Sequence, residues 1–291
     1  MRALQYAAPR SLEEAITLLQ EGGPHARILA GGTDLLPQIS DAVRDVAVVV
    51  DGKKIPELMH LSFDPERGLT IGAAVPCYRI YEDPIIQQHY PGLVDSASII
   101  GGIAIQGRAS LGGNLCNSGP AADSTPMLIA YGATARIAGP EGERKVPVED
   151  FCTAPGRNVL HPGELLISLH LPTPAPRTSA RYLRFIPRNE MDIAIVGVGV
   201  CLTLAETENT ITAARIALGA VAPTPLFVPE AGAFLVGKAP DAEAFAGAAA
   251  LAQAAARPIS DMRSTAEHRK HLAGVLTRRA LQGALERITT S

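Results

Sequence analysis

The chain has 291 residues, 47% of them hydrophobic and 4% aromatic with no Trp, and a formal net charge of −3. That length suits two or three compact domains rather than one minimal fold. The near-neutral, interspersed charge excludes the basic footprint of a nucleic-acid or anionic-membrane binder, and the shortage of aromatics excludes base-stacking platforms.

Ser11-Leu-Glu-Glu14 reads as a capping box, with the Ser hydroxyl accepting from a free amide and Glu14 reaching back. Leu12, Ala15, Ile16 and Leu19 then give one apolar helix face, stopped by Gly22-Gly23-Pro24. A strand follows at Ala26 to Ala30, then a glycine turn, and Thr33 or Asp34 caps a second helix running to about Ala42. The continuous apolar run Val46 to Val50 marks a strand buried on both faces. Met59 to Phe63 and Leu69 to Ala74 read as strands joined by the turn Asp64-Pro-Glu-Arg-Gly68. Helices are expected around Tyr78 to Gln88 and Gly92 to Ile100, and strands at Thr134 to Ala138 and Glu164 to Leu171.

Pro172-Thr-Pro-Ala-Pro176 is a semi-rigid linker and the clearest boundary in the chain. Beyond it, Arg181 to Phe185, Ile193 to Leu204 and Ile211 to Gly219 read as strands. The short connector Glu206 to Asn209 makes that sheet antiparallel. Two helices close the chain, Asp241 to Ala256 and Ser264 to Ile288. No N-terminal stretch has signal-peptide character, and the longest apolar run, Ile193 to Ala205, is short of the ~20 residues a bilayer needs, so a cytoplasmic protein is expected.

Two glycine motifs carry the chemistry. Gly31-Gly32-Thr33-Asp34 lies where a strand becomes a helix, so its exposed amides converge on one spot suited to a pyrophosphate. A plain strand–helix turn reads the same way in isolation. Ser110-Leu-Gly-Gly-Asn114 is a second glycine loop, and two such loops a subdomain apart can clamp one diphosphate. Gly197-Val-Gly199 is no nucleotide loop: the third glycine position is Leu202 and no helix follows, so these are tight-packing strand positions.

Cys77, Cys116, Cys152 and Cys201 are widely spaced, which argues against an iron–sulfur or structural zinc site on this chain. His268 and His271 belong to a solvated charged face, and Asp192 suits a salt bridge with Arg188. No nucleophile–base pair stands out, so a cofactor rather than side chains is expected to do the chemistry.

The segments 28–37 (I-L-A-G-G-T-D-L-L-P), 69–74 (L-T-I-G-A-A), 109–126 (A-S-L-G-G-N-L-C-N-S-G-P-A-A-D-S-T-P), 164–172 (E-L-L-I-S-L-H-L-P), 188–194 (R-N-E-M-D-I-A) and 217–225 (A-L-G-A-V-A-P-T-P) occur in this order. Together they resemble the FAD-binding medium subunit of the xanthine dehydrogenase and carbon monoxide dehydrogenase family, the molybdenum hydroxylases. The resemblance implies an α+β fold: a two-subdomain FAD-binding module of the vanillyl-alcohol-oxidase (PCMH) type at 1–57 and 58–174. A C-terminal domain with a small antiparallel sheet and helices follows at 177–288.

Carried over by motif, the FAD-binding residues are Ile28, Leu29, Ala30, Gly31, Gly32, Thr33, Asp34 and Leu35 in the first loop. The second loop supplies Ser110, Leu111, Gly112, Gly113 and Asn114, with Asp123 behind it. A looser alignment adds Ile100, Leu166 and Arg184, where relatives often have Lys, a change that keeps charge but alters geometry. The chain runs from Asn114 to Pro126 without the cysteine-bearing insertion of the 4-hydroxybenzoyl-CoA reductase branch. The resemblance implies that 2Fe–2S clusters and the molybdopterin cofactor sit on separate partners, a small iron–sulfur subunit and a large molybdopterin-binding subunit, in a dimer of heterotrimers. The rival expectations are a self-contained flavin oxidase, for which Cys116 near the second loop is the one attachment candidate, and a non-catalytic flavin- or nucleotide-binding module.

Overall fold

The computed structural model describes residues 4–188 and 191–290. Asn189 and Glu190 of the R-N-E-M-D-I-A motif lie outside the described residues.

The chain opens with β1 (Gln5–Ala7), α1 (Leu12–Gly22), β2 (Ala26–Leu29), α2 (Leu35–Ser40) and β3 (Val48–Asp51). The strands form a parallel sheet in the order β1-β3-β2. The central strand begins two residues after the start of the expected apolar run and ends one residue after its end, with Val49, Val50 and Asp51 buried. At the start of α1, Ser11 Oγ accepts from the Glu14 amide at 3.2 Å. The Glu14 carboxylate reaches one residue further back than expected and accepts from the Arg10 amide at 3.0 Å.

The second unit begins with the hairpin β4 (Leu61–Asp64) and β5 (Gly68–Gly72). The helix expected at Tyr78 to Gln88 is broken into α3 (Cys77–Tyr81) and α4 (Pro84–His89). Pro84 has no amide to continue the ladder, and Asp83 Oδ1 caps the new start through the Ile85 and Ile86 amides at 2.9 and 3.1 Å. Next come α5 (Pro91–Ala97), α6 (Ile103–Gln106), α7 (Leu111–Asn117) and α8 (Ser124–Ala130). Then follow β6 (Thr134–Gly139), β7 (Gly142–Pro147), the small hairpin β8 (Cys152–Ala154) with β9 (Arg157–Asn158), and β10 (Leu165–Leu171). The main sheet is antiparallel in the order β4-β5-β10-β6-β7. Its unanticipated edge, β7, carries Glu143, Arg144 and Lys145, charges that suit an edge strand but hide it from a hydrophobicity reading.

After the proline linker, β11 (Thr178–Phe185), β12 (Val196–Leu204), β13 (Ile211–Gly219) and β14 (Leu226–Phe227) make an antiparallel sheet in chain order. Then α9 (Pro229–Leu235), α10 (Ala242–Ala255) and α11 (Ala266–Thr290) cover it. One apolar core runs through the first two sheets and takes in Ala180, Tyr182 and Ala217 of the third. A separate core lies between the third sheet and its helices.

Every residue of α8 is buried, because this helix is wedged between the second unit and the third sheet. A Cβ on Gly199 would stand 2.8 Å from the Pro126 carbonyl, so the glycine in β12 is what lets α8 lie on the strand. A second tie is polar. Asp95 of α5 accepts from both terminal nitrogens of Arg287 at 2.9 and 2.8 Å and from the Tyr182 amide at 3.1 Å. No helix among the described residues is long and apolar enough to cross a membrane.

Candidate cofactor site

The two glycine motifs meet. Leu29 ends β2 and the chain turns through Ala30 to Asp34 into α2. A Cβ on Gly31 would lie 2.6 Å from the Arg108 carbonyl oxygen and 3.0 Å from Ala109 Cα, so only glycine lets the turn rest on the segment that leads to the second motif. Arg108 Nε donates to the Gly31 carbonyl at 3.3 Å. Gly32 has φ +83°, a left-handed conformation open to glycine at little cost. The amides of Gly32, Thr33 and Asp34 find no backbone acceptor among the described residues.

The second motif is not a loop, contrary to the sequence reading. Ser110 is the N-cap of α7, its Oγ accepting from the Gly113 amide at 3.1 Å, and Leu111 to Asn114 are already helical. Serine at a helix start with two glycines behind it looks like a turn in sequence. Here Gly112 is needed for packing, since a Cβ would meet the Ala73 oxygen at 2.4 Å.

Between the motifs lies a cleft of about 540 Å³, lined by Ile28, Ala30 to Leu35, Ile100, Ser110, Gly112 to Asn114 and Leu166. Those are all the expected residues except four. Leu29 is buried against Val46 and Val49, and Leu111 is in the main core. Asp123 and Arg184 stand outside the cleft wall and bind each other, Arg184 donating to Asp123 Oδ2 at 2.8 Å while Tyr182 donates to Oδ1 at 2.9 Å. Asp123 is followed in the chain by Ser124, whose Oγ donates to Asn114 Oδ1 in the cleft wall at 2.6 Å.

The electrostatics follow burial. Asp34 at the cleft wall is held above the usual carboxylate range by desolvation. Asp123 is pushed up to about 6 by burial, against the opposing pull of Arg184 and Tyr182. Lys53 donates to the Ala74 oxygen at 2.7 Å and is pushed down to about 8, first by burial and then by Arg108. Cys116 reaches the cleft wall, and burial pushes its thiol up to about 12, leaving it neutral and a poor nucleophile at pH 7.

Sequence reasoning missed the polar side of this cleft. Arg27, Gln38, Arg44 and Asn117 also line it. Gln38 Nε2 donates to Asn117 Oδ1 at 3.1 Å, tying α2 to α7. Arg27 alone left a trace, as a cation inside the apolar strand A-R-I-L. Of the other candidates, Asp192 pairs with Arg188 as expected, its Oδ1 2.8 Å from Nε. His268 packs beside Phe185 with ring centroids 6.0 Å apart, and no His, Cys, Asp and Glu group among the described residues could hold a metal.

The cleft fits a dinucleotide. Its volume falls in the range of ~300–1,000 Å³ typical of cofactor sites, its walls carry Ile and Leu side chains, and its glycines bring free main-chain donors to the surface. A main-chain cradle between two small α/β units, backed by a third sheet, defines an FAD-binding flavoprotein.

Comparison with known proteins agrees. Residues 2–174 match the family described as the FAD binding domain in molybdopterin dehydrogenase, and residues 181–284 match the CO dehydrogenase flavoprotein C-terminal domain. The chain belongs to the FAD-binding medium subunits of the xanthine dehydrogenase and CO dehydrogenase family. It is similar to the xanthine dehydrogenase FAD-binding subunit of Escherichia coli O157:H7, at 31% identity over 96% of this chain and 95% of that one. It is 33% identical to the carbon monoxide dehydrogenase medium chain of Hydrogenophaga pseudoflava over 97% of both. Among solved structures it resembles the reconstituted CO dehydrogenase from Oligotropha carboxidovorans (TM-score 0.93) and quinoline 2-oxidoreductase from Pseudomonas putida 86 (TM-score 0.90). Each is 32% identical and covers 98% of both chains.

Proposed function

We propose that this chain is the electron relay of a molybdenum-containing hydroxylase or dehydrogenase, taking electrons from 2Fe–2S clusters on a small partner subunit and passing them to a terminal acceptor. In this reading substrate oxidation belongs to a large molybdopterin-binding partner, and the assembly is a cytoplasmic dimer of heterotrimers. The division of labour runs 1–57 and 58–174 for the FAD module and 177–288 for the domain that backs it.

FAD, when bound, supplies exchange between one- and two-electron carriers. The protein's residues hold and tune it. Free amides at Gly32 to Asp34 offer donors to a diphosphate, and Ile28, Ile100 and Leu166 exclude water from the cleft. The Asp123–Tyr182–Arg184 group acts through Ser124 and Asn114, fixing α7 and α8 against each other beside the cradle. The observation that carries the reading is the close packing of Gly31 on Arg108 and Ala109, the residues that lead into the second motif, which brings two distant segments to one cleft.

The test is spectroscopic and biochemical. Purified chain should show flavin absorbance or recover it on addition of FAD, and it should co-purify with a molybdopterin subunit and a 2Fe–2S subunit. A chain that neither holds nor takes up FAD sinks the proposal.

A further inference from the structure

Two guanidinium groups line the cleft without a counter-ion. Arg27 points from β2 and Arg44 follows α2, and both are half-buried. Among the described residues neither has a carboxylate within ion-pair distance. Arg27 donates from Nη1 to the Ala26 carbonyl at 2.7 Å, and Arg44 donates from Nε to Gln38 Oε1 at 2.5 Å. Those bonds aim the side chains and leave most of their fork donors unused. Arg27 is held below the ordinary guanidinium range, first by burial and then by the charge of Arg44. Partly desolvating two like charges in one cleft is costly, and an electron-rich ligand that accepts from their unused donors offsets that cost.

We infer that Arg27 and Arg44 form an adenosine clamp, gripping the adenosine end of the dinucleotide and making this cleft select FAD over FMN. The inference rests on the FAD reading of the cleft and goes beyond it in naming the residues that enforce the choice. FMN lacks adenosine, whereas FAD brings a purine face for stacking and ring nitrogens and ribose hydroxyls that accept from guanidinium donors. Position agrees with this. Arg27 lies on β2, four residues before Gly31, which places its Cα up to roughly 13 Å from that glycine at ~3.3 Å per residue. Leu19, Pro24, Ala26, Leu160 and Leu165 also line the cleft and offer apolar surface for a base.

The test compares FAD, FMN and ADP binding to the full chain stripped of flavin, by fluorescence titration, in wild type, Arg27→Ala, Arg44→Ala and the double variant. The double variant should lose FAD affinity by about tenfold or more and lose ADP binding, with FMN affinity unchanged within about twofold. Arg44→Lys should fall between, because it keeps charge and loses the fork. Parallel weakening of FAD and FMN, or unchanged FAD and ADP binding, overturns the clamp while leaving the FAD reading intact. A wild-type chain that binds no FAD overturns both. If the double variant fails to fold, as judged by melting without flavin, the single variants decide the matter through the same FAD-to-FMN ratio.

Discussion

Asp123 and Arg184 form a nearly sealed ion pair, 2.8 Å apart with side chains only 12% and 7% exposed. The pair joins the start of α8 to β11, and the Tyr182 hydroxyl completes it. A buried charge stripped of its partner is costly, so Arg184→Ala should destabilise the chain by ~3–5 kcal/mol. Arg184→Lys should recover part of that loss. Urea unfolding of both variants measures it, and equal losses for Ala and Lys would show that the charge is irrelevant.

The same carboxyl predicts a pH dependence. Its folded pKa, about 6, is raised above the ordinary value near 3.8, so the folded state binds its proton more tightly than the unfolded chain does. The contribution of Asp123 to stability is therefore greatest below about pH 4. It declines as pH rises to about 6, and is flat above. Melting curves of wild type and Asp123→Asn from pH 4 to 8 should show the wild-type advantage shrinking across that window. An advantage that grows with pH would contradict the assignment.

Gly31→Ala places a Cβ against main-chain atoms that cannot step aside. We expect ~1–3 kcal/mol of overpacking together with loss of bound flavin. Gly113→Ala is a milder change, since its Cβ would meet the Ser110 hydroxyl at 3.1 Å and Ala30 Cβ at 3.9 Å. Flavin-to-protein absorbance ratios of the two variants discriminate them.

Asp95→Ala frees Arg287 from its bidentate carboxylate and removes the acceptor of the Tyr182 amide. A cost of ~2–3 kcal/mol is expected for charged hydrogen bonds of this kind. Hydrogen exchange should rise first in the last turns of α11 and in β11. Uniform acceleration across the chain would mean that this tie is not local.

Cys116 borders the cleft with its thiol neutral, so flavin should be released intact when the protein is denatured. Cys116→Ser should leave flavin content unchanged. Mass spectrometry that finds flavin attached to this residue would instead revive a self-contained oxidase.

Periodicity and turn chemistry made the three long C-terminal strands, the antiparallel third sheet and α1 readable, because each follows from local pattern. The segments that escaped were those whose state is set by distant neighbours. α8 carries Pro126 and is buried on all sides, so no amphipathic pattern separates helix from loop until β12 and β13 lie beneath it. The first glycine motif could be placed because a strand–helix turn is local, whereas Arg27 and Arg44 gain meaning only when folding puts both on one cleft. Asp123 illustrates the same limit from the other side: motif and structure place it near the cradle, yet both its oxygens are spoken for by Tyr182 and Arg184.

The proline linker at 172–176 divides the sequence, but the packed interior ignores it: Ala180, Tyr182 and Ala217 share one core with Val50 and Ile71, and α8 is clasped between the halves. A recombinant cut at that linker would expose the Gly199–Pro126 seam and leave Asp95 and Asp123 without their cationic mates. Domain shuffling in such a protein would have to carry α5 and α8 along with the third sheet, so the unit that is inherited intact is larger than the unit the linker outlines.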